Sequence, residues 1–204
     1  MIHVYGIAWK MTDYIRKSIE SMVSTASEPI SMTVIENKSD KSPEIKEYLT
    51  ACVGSGVITR ALLMEENTVG WGLLQGIRDF NPPEDEKFFV MTDLDLIVPD
   101  GCDWIKEMRE AHEERNCTVT GCTLDLSNYT NTPNHGYGGD ADSFGMWMIG
   151  VNTEIFMNRY PFYRGIYDVA VRDFMAQYGR REKLLSIRLY HEAWDLWKEG
   201  HDPE

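Results

Sequence analysis

The first hundred residues alternate between short apolar runs of strand character and longer stretches with apolar residues at helical spacing. That order restricts the chain to few architectures. Ile2 to Ala8 is β-rich through Ile2, Val4 and Ile7. Thr12 reads as an N-cap with Asp13 in the first turn, and Ile15, Ile19, Met22, Val23 and Ala26 follow as a helical stripe closed by Pro29. Ser31 to Glu36 sets Met32 and Val34 against Thr33 and Ile35, a second strand. Ser42-Pro43 opens a helix carrying Ile45, Tyr48, Leu49 and Cys52. Val57 to Met64 reads as a third strand and Gly70 to Phe80 as a helix broken by Asn81-Pro82-Pro83. Phe88 to Thr92 is a short all-apolar run, the signature of a strand buried on both faces. Strands alternating with helices in this way imply a mostly parallel central sheet flanked by helices, an α/β fold.

The second half is less regular. Trp104, Ile105, Met108 and Ala111 begin a helix, and Thr118 to Leu124 reads as a strand. Asp125 to Ser143 is a polar stretch rich in Asn, Thr, Gly and Asp, and loops of that length usually serve function. Phe144 to Val151 is apolar and aromatic. Val171, Phe174, Met175 and Tyr178 mark a helix ending at Gly179. Leu185, Ile187 and Leu189 alternate as a last strand, and Glu192 to Glu199 reads as a final helix with Trp194 and Trp197. With no repeat and no low-complexity linker, the 204 residues are read as a single domain.

Composition narrows the function. Six Trp, ten Tyr and seven Phe require a packed core and exclude a disordered chain. The net charge of -13 argues against nucleic acid as the main partner and suits a carboxylate metal site. Cys52, Cys102, Cys117 and Cys122 form neither a CxxC pair nor a zinc spacing, so they read as reduced thiols of a cytoplasmic protein. No signal segment and no membrane-length apolar run is visible.

Chemistry concentrates at Asp93-Leu94-Asp95. Two carboxylates two residues apart stand at the exit of the apolar run, and in open α/β sheets ligands bind at the carboxyl ends of strands. Extended residues i and i+2 point to one side, so both acids can face one hard cation, Mg²⁺ or Mn²⁺, that in turn holds phosphate. Gly70, Trp71, Gly72 and Gly76 lie between a strand and a helix. Gln75 breaks the dinucleotide fingerprint, and a plain glycine turn is the simpler reading. His191 directly follows the last strand and lies near Asp95 if that strand joins the same sheet. His112-Glu113 lacks the second His of a zinc-protease helix, since position 116 is Asn116. Asp168 is either a helix N-terminal residue or a general base.

Taken in order, these segments resemble a GT-A-type glycosyltransferase and are similar to the family 2 nucleotide-sugar transferases. Val34 to Ser39 resembles that family's strand with its "DNxS" segment, Asn67 to Ile77 its glycine-rich "NxG" segment, and Asp93-Leu94-Asp95 with Pro99 its DxD. Gly165 to Gly179 resembles the later "ED" helix, and His191 falls where many members place a metal-binding His. The resemblance implies a GT-A-like (Rossmann-like) fold, with 1–100 as the nucleotide-binding half and 101–204 as the acceptor-binding half. It implies metal-dependent transfer of a sugar from a nucleotide-sugar donor, by default a UDP-sugar, to a hydroxyl acceptor with inversion. Trp9, Glu36, Asn37, Gly70, Trp71 and Asp93 would bind the nucleotide. Asp93, Asp95 and His191 would bind Mn²⁺ or Mg²⁺, and Asp168 would be the base, with Asp140 and Asp142 as alternative acids. Trp71, Trp147 and Tyr163 are candidates to stack a sugar or base.

Three other readings compete. A sugar-1-phosphate nucleotidyltransferase has a related fold but would need a glycine-rich loop with Arg and Lys soon after the first strand, where Ala8-Trp9-Lys10-Met11-Thr12 has none. A phosphatase of the haloacid-dehalogenase type also places DxD after an apolar strand, but the interval from Asp93 to Asp140 is too short for its crossovers. A noncatalytic nucleotide- or glycan-binding module would bind without turnover.

Overall fold

The computed structural model describes residues 1–68, 70–125, 147–162 and 167–191, with residues 167–170 and 191 given as backbone. Eight strands among the described residues form one mixed sheet in the order β3-β2-β1-β4-β7-β6-β8-β5. The N-terminal half follows the expected alternation: β1 (Ile2–Ala8), α1 (Thr12–Thr25), β2 (Ile30–Glu36), α2 (Ser42–Ser55), β3 (Arg60–Leu63), α3 (Trp71–Asp79) and β4 (Phe88–Asp93). These four strands are parallel, so β1, β2, β3 and β4 all end at the same edge.

The C-terminal half turns the sheet mixed. β5 (Leu96–Ile97) is followed by α4 (Trp104–Arg109), a π-helical turn at Glu110–Glu114, and β6 (Cys117–Leu124). Then come β7 (Met148–Asn152), α5 (Thr153–Arg159), α6 (Tyr167–Met175) and β8 (Arg180–His191). β7 is antiparallel to both β4 and β6, whereas β6 and β8 are parallel. α5 is capped by Asn152, whose side chain accepts from the Ile155 N–H at 3.0 Å, and β5 is only two residues long. The final strand is far longer than the Leu185–Leu189 alternation, because the charged run Arg180 to Lys183 pairs with β6. Arg115 and Arg180 both bridge Glu182, each at 3.0 Å.

Connectivity forces the sheet to curl. β4 and β5 stand fourth and eighth in strand order yet are joined by only Leu94 and Asp95. In a flat sheet, four strand steps of about 4.8 Å would separate them by roughly 19 Å. The three peptide steps from Asp93 to Leu96 reach about 11 Å at full extension. The sheet therefore bends until its far edge returns beside β4, and the acidic pair occupies the seam.

Two cores cover the faces. Val4, Ala8, Ile15, Ile19, Met22, Ile45 and Leu49 pack α1 and α2 on one side, with Trp104, Ile105 and Met108 of α4. Tyr5, Ile35, Leu73, Ile77, Phe89, Phe156, Val171 and Met175 pack α3, α5 and α6 on the other. Phe156 locks α5 down, stacking on Tyr160 at 4.7 Å and meeting Phe89 edge-on at 5.2 Å. The glycines of α3 serve close packing. A Cβ on Gly76 would lie 2.9 Å from Ile35 Cδ1 and Cγ1, and one on Gly72 would lie 3.1 Å from Ile35 Cγ2. Positions i and i+4 share a helix face, so this pair lets α3 sit directly on β2.

Two helix starts differ from the expected caps. Met11 rather than Thr12 is the N-cap of α1, in left-handed conformation and without a side-chain cap, while Thr12 lies inside the helix and is buried. Ser42 also lies within its helix, and its hydroxyl donates to Glu36 Oε1 at 2.6 Å. The expected helix at 192–199, Tyr163, Asp140, Asp142 and most of the 125–143 stretch lie outside the described residues.

Candidate active site

The C-terminal edge of the parallel strands gathers most of the expected residues. Asp93 is the last residue of β4, and Leu94 and Asp95 form the bend into β5. Burial alternates across the bend. Leu94 and Leu96 are buried, while Asp93, Asp95 and Ile97 are half-buried. The leucines enter the α1-side core, so the alternation assigns both carboxylates to the opposite side. The bend is held on two flanks. The Asp93 N–H donates to the Trp147 carbonyl at 3.0 Å, and the Leu94 N–H donates to the Ile7 carbonyl at 3.1 Å. Trp147 thus reaches the acidic pair through its backbone, immediately before β7.

His191 comes to this seam through β8. Leu96 and His191 are register partners in the antiparallel β5–β8 pair, so the backbone of His191 lies across from the residue after Asp95. The conditional expectation that the last strand joins the same sheet is met at the level of backbone.

Two carboxylates on one side of a bend suit a hard divalent cation, which completes its shell with water and substrate phosphate oxygens. Among the described side chains, no three His, Cys, Asp or Glu residues gather into a metal-binding cluster. The donor chemistry therefore fits an open site of two acids that a third ligand would complete.

The expected nucleotide residues surround the ends of β1 and β2. Trp9 is half-buried after β1, with the Lys10 ammonium 4.7 Å from its ring centroid. Lys10 and Met11 have φ of 52° and 49°, left-handed values that cost a non-glycine residue about 1–2 kcal/mol each. Such strain at a strand's C-terminal loop is typical of sites that hold a ligand. Glu36 and Asn37 are only 2% and 5% exposed. Glu36 accepts from Ser42, as above. Asn37 Oδ1 accepts from the Thr68 N–H at 2.7 Å and its hydroxyl at 2.8 Å, and Asn37 Nδ2 donates to Asn67 Oδ1 at 2.9 Å. Thr68 Oγ1 in turn accepts from the Gly72 N–H at 2.9 Å. Asn37 thereby fastens the end of β2 to the start of α3. Gly70, at φ 88°, makes the turn that presents the half-buried Trp71. The glycines of this segment serve helix–sheet packing at Gly72 and Gly76 and a single left-handed turn at Gly70.

Asp168 lies in the first turn of α6. Thr118, at the start of β6, donates to the Met175 carbonyl at 2.9 Å, and a Cβ on Gly179 would lie 2.4 Å from Thr118 Cγ2. The end of α6 is therefore fixed at the start of β6. One acid was overlooked in the sequence. Asp125 follows β6 at the edge that carries Asp93, its N–H donating to the Leu189 carbonyl at 2.8 Å. Only the strand pairing distinguishes it from the polar stretch it begins.

No described helix is long and apolar enough to cross a membrane, and all four cysteines are free thiols. No protein-family model matches the chain. Two uncharacterized proteins of Acanthamoeba polyphaga mimivirus are 29% and 28% identical over 133 residues, which span 62% of this chain but only 27% and 18% of theirs. Solved structures match over nearly the whole length. S. aureus TarS superposes with a TM-score of 0.68 at 13% identity, covering 97% of this chain and 38% of TarS. The mannosyltransferase PcManGT from Pyrobaculum calidifontis, in complex with GDP-Man and Mn²⁺, gives 0.68 at 12% identity, covering 98% and 61%. GalNAc-T7 with UDP, GalNAc and Mn²⁺ gives 0.65 at 11% identity, covering 94% and 43%. The chain thus spans less than two thirds of each of these proteins, and what it shares with the solved structures is the α/β fold of the GT-A glycosyltransferases.

Proposed function

We propose that this chain is a metal-dependent glycosyltransferase, of family 2 character, that moves a sugar from a nucleotide-sugar donor to a hydroxyl acceptor. The observation that carries the reading is the seam. A GT-A fold places Asp93 and Asp95 at the carboxyl edge of its parallel strands and brings the backbone of His191 opposite the adjoining residue. In this reading 1–100 binds the nucleotide and 101–204 the acceptor. The free thiols support a cytoplasmic setting.

Trp9, Trp71 and Asp93 line the nucleotide pocket. Gly70, Asn37 and Glu36 shape it through the turn and hydrogen bonds that hold the neighbouring loops. Asp93, Asp95 and His191 hold Mn²⁺ or Mg²⁺, and a bound cation offsets the charge that develops on a diphosphate leaving group. Asp168 takes the proton of the acceptor hydroxyl from the face opposite the leaving group, as inversion requires. The donor is a UDP-sugar.

Thermal unfolding against nucleoside diphosphates, with and without Mn²⁺, tests the donor. A ligand at 100 times its Kd adds about 2.7 kcal/mol, which for a chain of 204 residues raises the melting temperature by roughly 5–10 °C. The expected result is a Mn²⁺-dependent rise with UDP. Absence of a rise with every nucleotide refutes the transferase reading.

The base has its own test. Asp168→Asn should lower transfer by about 10²–10⁴-fold, the usual contribution of general-base catalysis, while UDP still raises the melting temperature. Retained transfer moves the role to Asp140 or Asp142.

A further inference from the structure

Gly6 lies in the middle of β1, in register with Val34 of β2 and Thr92 of β4. Its φ is not among the left-handed values, so its conformation does not call for glycine. Space does. A Cβ at this position would lie 2.9 Å from Leu94 Cδ2, 2.9 Å from Leu94 Cγ and 3.0 Å from Leu94 Cδ1. The side-chain space of residue 6 is thus filled by Leu94, the central residue of the acidic bend. Leu94 is 2% exposed, and its N–H donates to the Ile7 carbonyl at 3.1 Å. Both its backbone and its side chain are therefore seated on two consecutive residues of β1. Rotation about the outer bonds of Leu94 can move the Cδ atoms, but it leaves Cγ in place. A methyl group at residue 6 must therefore either swing Leu94 about its Cα–Cβ bond, into neighbours that the packed interior holds in place, or lift the backbone between Asp93 and Asp95.

We propose that Gly6 is a positioning residue for the acidic pair: with Leu94 seated in its missing side-chain space, it sets the height of Asp93 and Asp95 over the end of β1 and so their fit to a divalent cation. The inference rests on the metal-dependent donor binding proposed above.

A double-mutant cycle tests it, with calorimetric titration of UDP in the presence and absence of Mn²⁺ as the readout and urea unfolding of the free protein as the control. Gly6→Ala is expected to weaken Mn²⁺-dependent UDP binding about tenfold by tilting the bend. Leu94→Ala is expected to weaken it by a similar factor by unseating it. Binding of UDP without Mn²⁺ should change less than twofold in both. The double variant should bind no more weakly than either single variant, because the methyl group added at position 6 then occupies the space that Leu94 vacates; adjacent groups that share one space are non-additive. Unchanged Mn²⁺-dependent affinity in a folded Gly6→Ala protein overturns the proposal, as do losses that multiply to about 100-fold in the double variant. If Gly6→Ala does not fold, Leu94→Ala decides, and unchanged affinity there also overturns it. Wild-type protein that binds no UDP with Mn²⁺ refutes the UDP-sugar donor of the underlying reading instead, before any variant is compared.

Discussion

Asp95→Ala is expected to abolish the Mn²⁺-dependent part of UDP binding and to lower sugar transfer by about 10²–10³-fold, the usual effect of removing one preorganised electrostatic partner of a developing charge. The fold should survive. Asp95 is half-buried in a bend, and the bend is held by the backbone of Leu94 on Ile7 and of Asp93 on Trp147, which the substitution leaves in place. The melting temperature without ligand should therefore move by only a few degrees, while the rise of roughly 5–10 °C given by UDP with Mn²⁺ disappears. Asp95→Asn separates charge from shape. It retains the side chain's volume but offers a cation a neutral oxygen, so it too should lose the metal-dependent rise. A variant that still gives the full rise would show that Asp95 holds no cation.

Acid should destabilise the protein steeply through a histidine far from this site. His112 lies in the π-helical turn and is 6% exposed. Its ring stacks on Phe88 with centroids 4.7 Å apart and planes 4° from parallel. Its Nε2 lies 3.2 Å from Thr120 Oγ1, and a Cβ on Gly150 would come within 2.8 Å of that nitrogen. Burial pushes the imidazole down to about 4, outweighing the opposite pull of the nearby Cys117 and Gly150 backbone and of the charge of Glu182. The unfolded chain protonates His112 near its ordinary value of about 6.5. Between about pH 6.5 and pH 4 the unfolded state therefore binds the extra proton, and stability falls as pH falls. The contribution is complete above that window, and about 3 kcal/mol is lost by its lower end. Urea unfolding across the window measures it against His112→Gln, which is less stable at pH 7 but should lack this component of the pH dependence. Equal pH dependence in the two proteins would assign the acid lability to other groups.

The same residue illustrates what a motif search reads and misses. His112-Glu113 has the opening of a metal-binding helix, and Asn116 rules that out. No local pattern reveals that the helix changes to π-helical pitch there or that the imidazole is packed neutral between Phe88 and β6. Those facts depend on Phe88, Thr120 and Gly150, which lie on three other strands.

Periodicity is local, and it carried the alternating first half, the all-apolar β4 and the acidic pair at its exit, because a strand or an amphipathic helix records its buried face in its own residues. Pairing is not local. The charged start of β8 is a strand only because β6 lies beside it and Arg115 reaches Glu182. β5 is a strand only because His191 arrives opposite Leu96. Asp125 comes to the same edge as Asp93 only because β6 and β4 both run antiparallel to β7. The acids themselves are written in the chain, but their place at a closed seam is not. Two residues between β4 and β5 cannot span four strand positions of a flat sheet, so the curl that brings Asp95 and the backbone of His191 together belongs to the folded molecule alone.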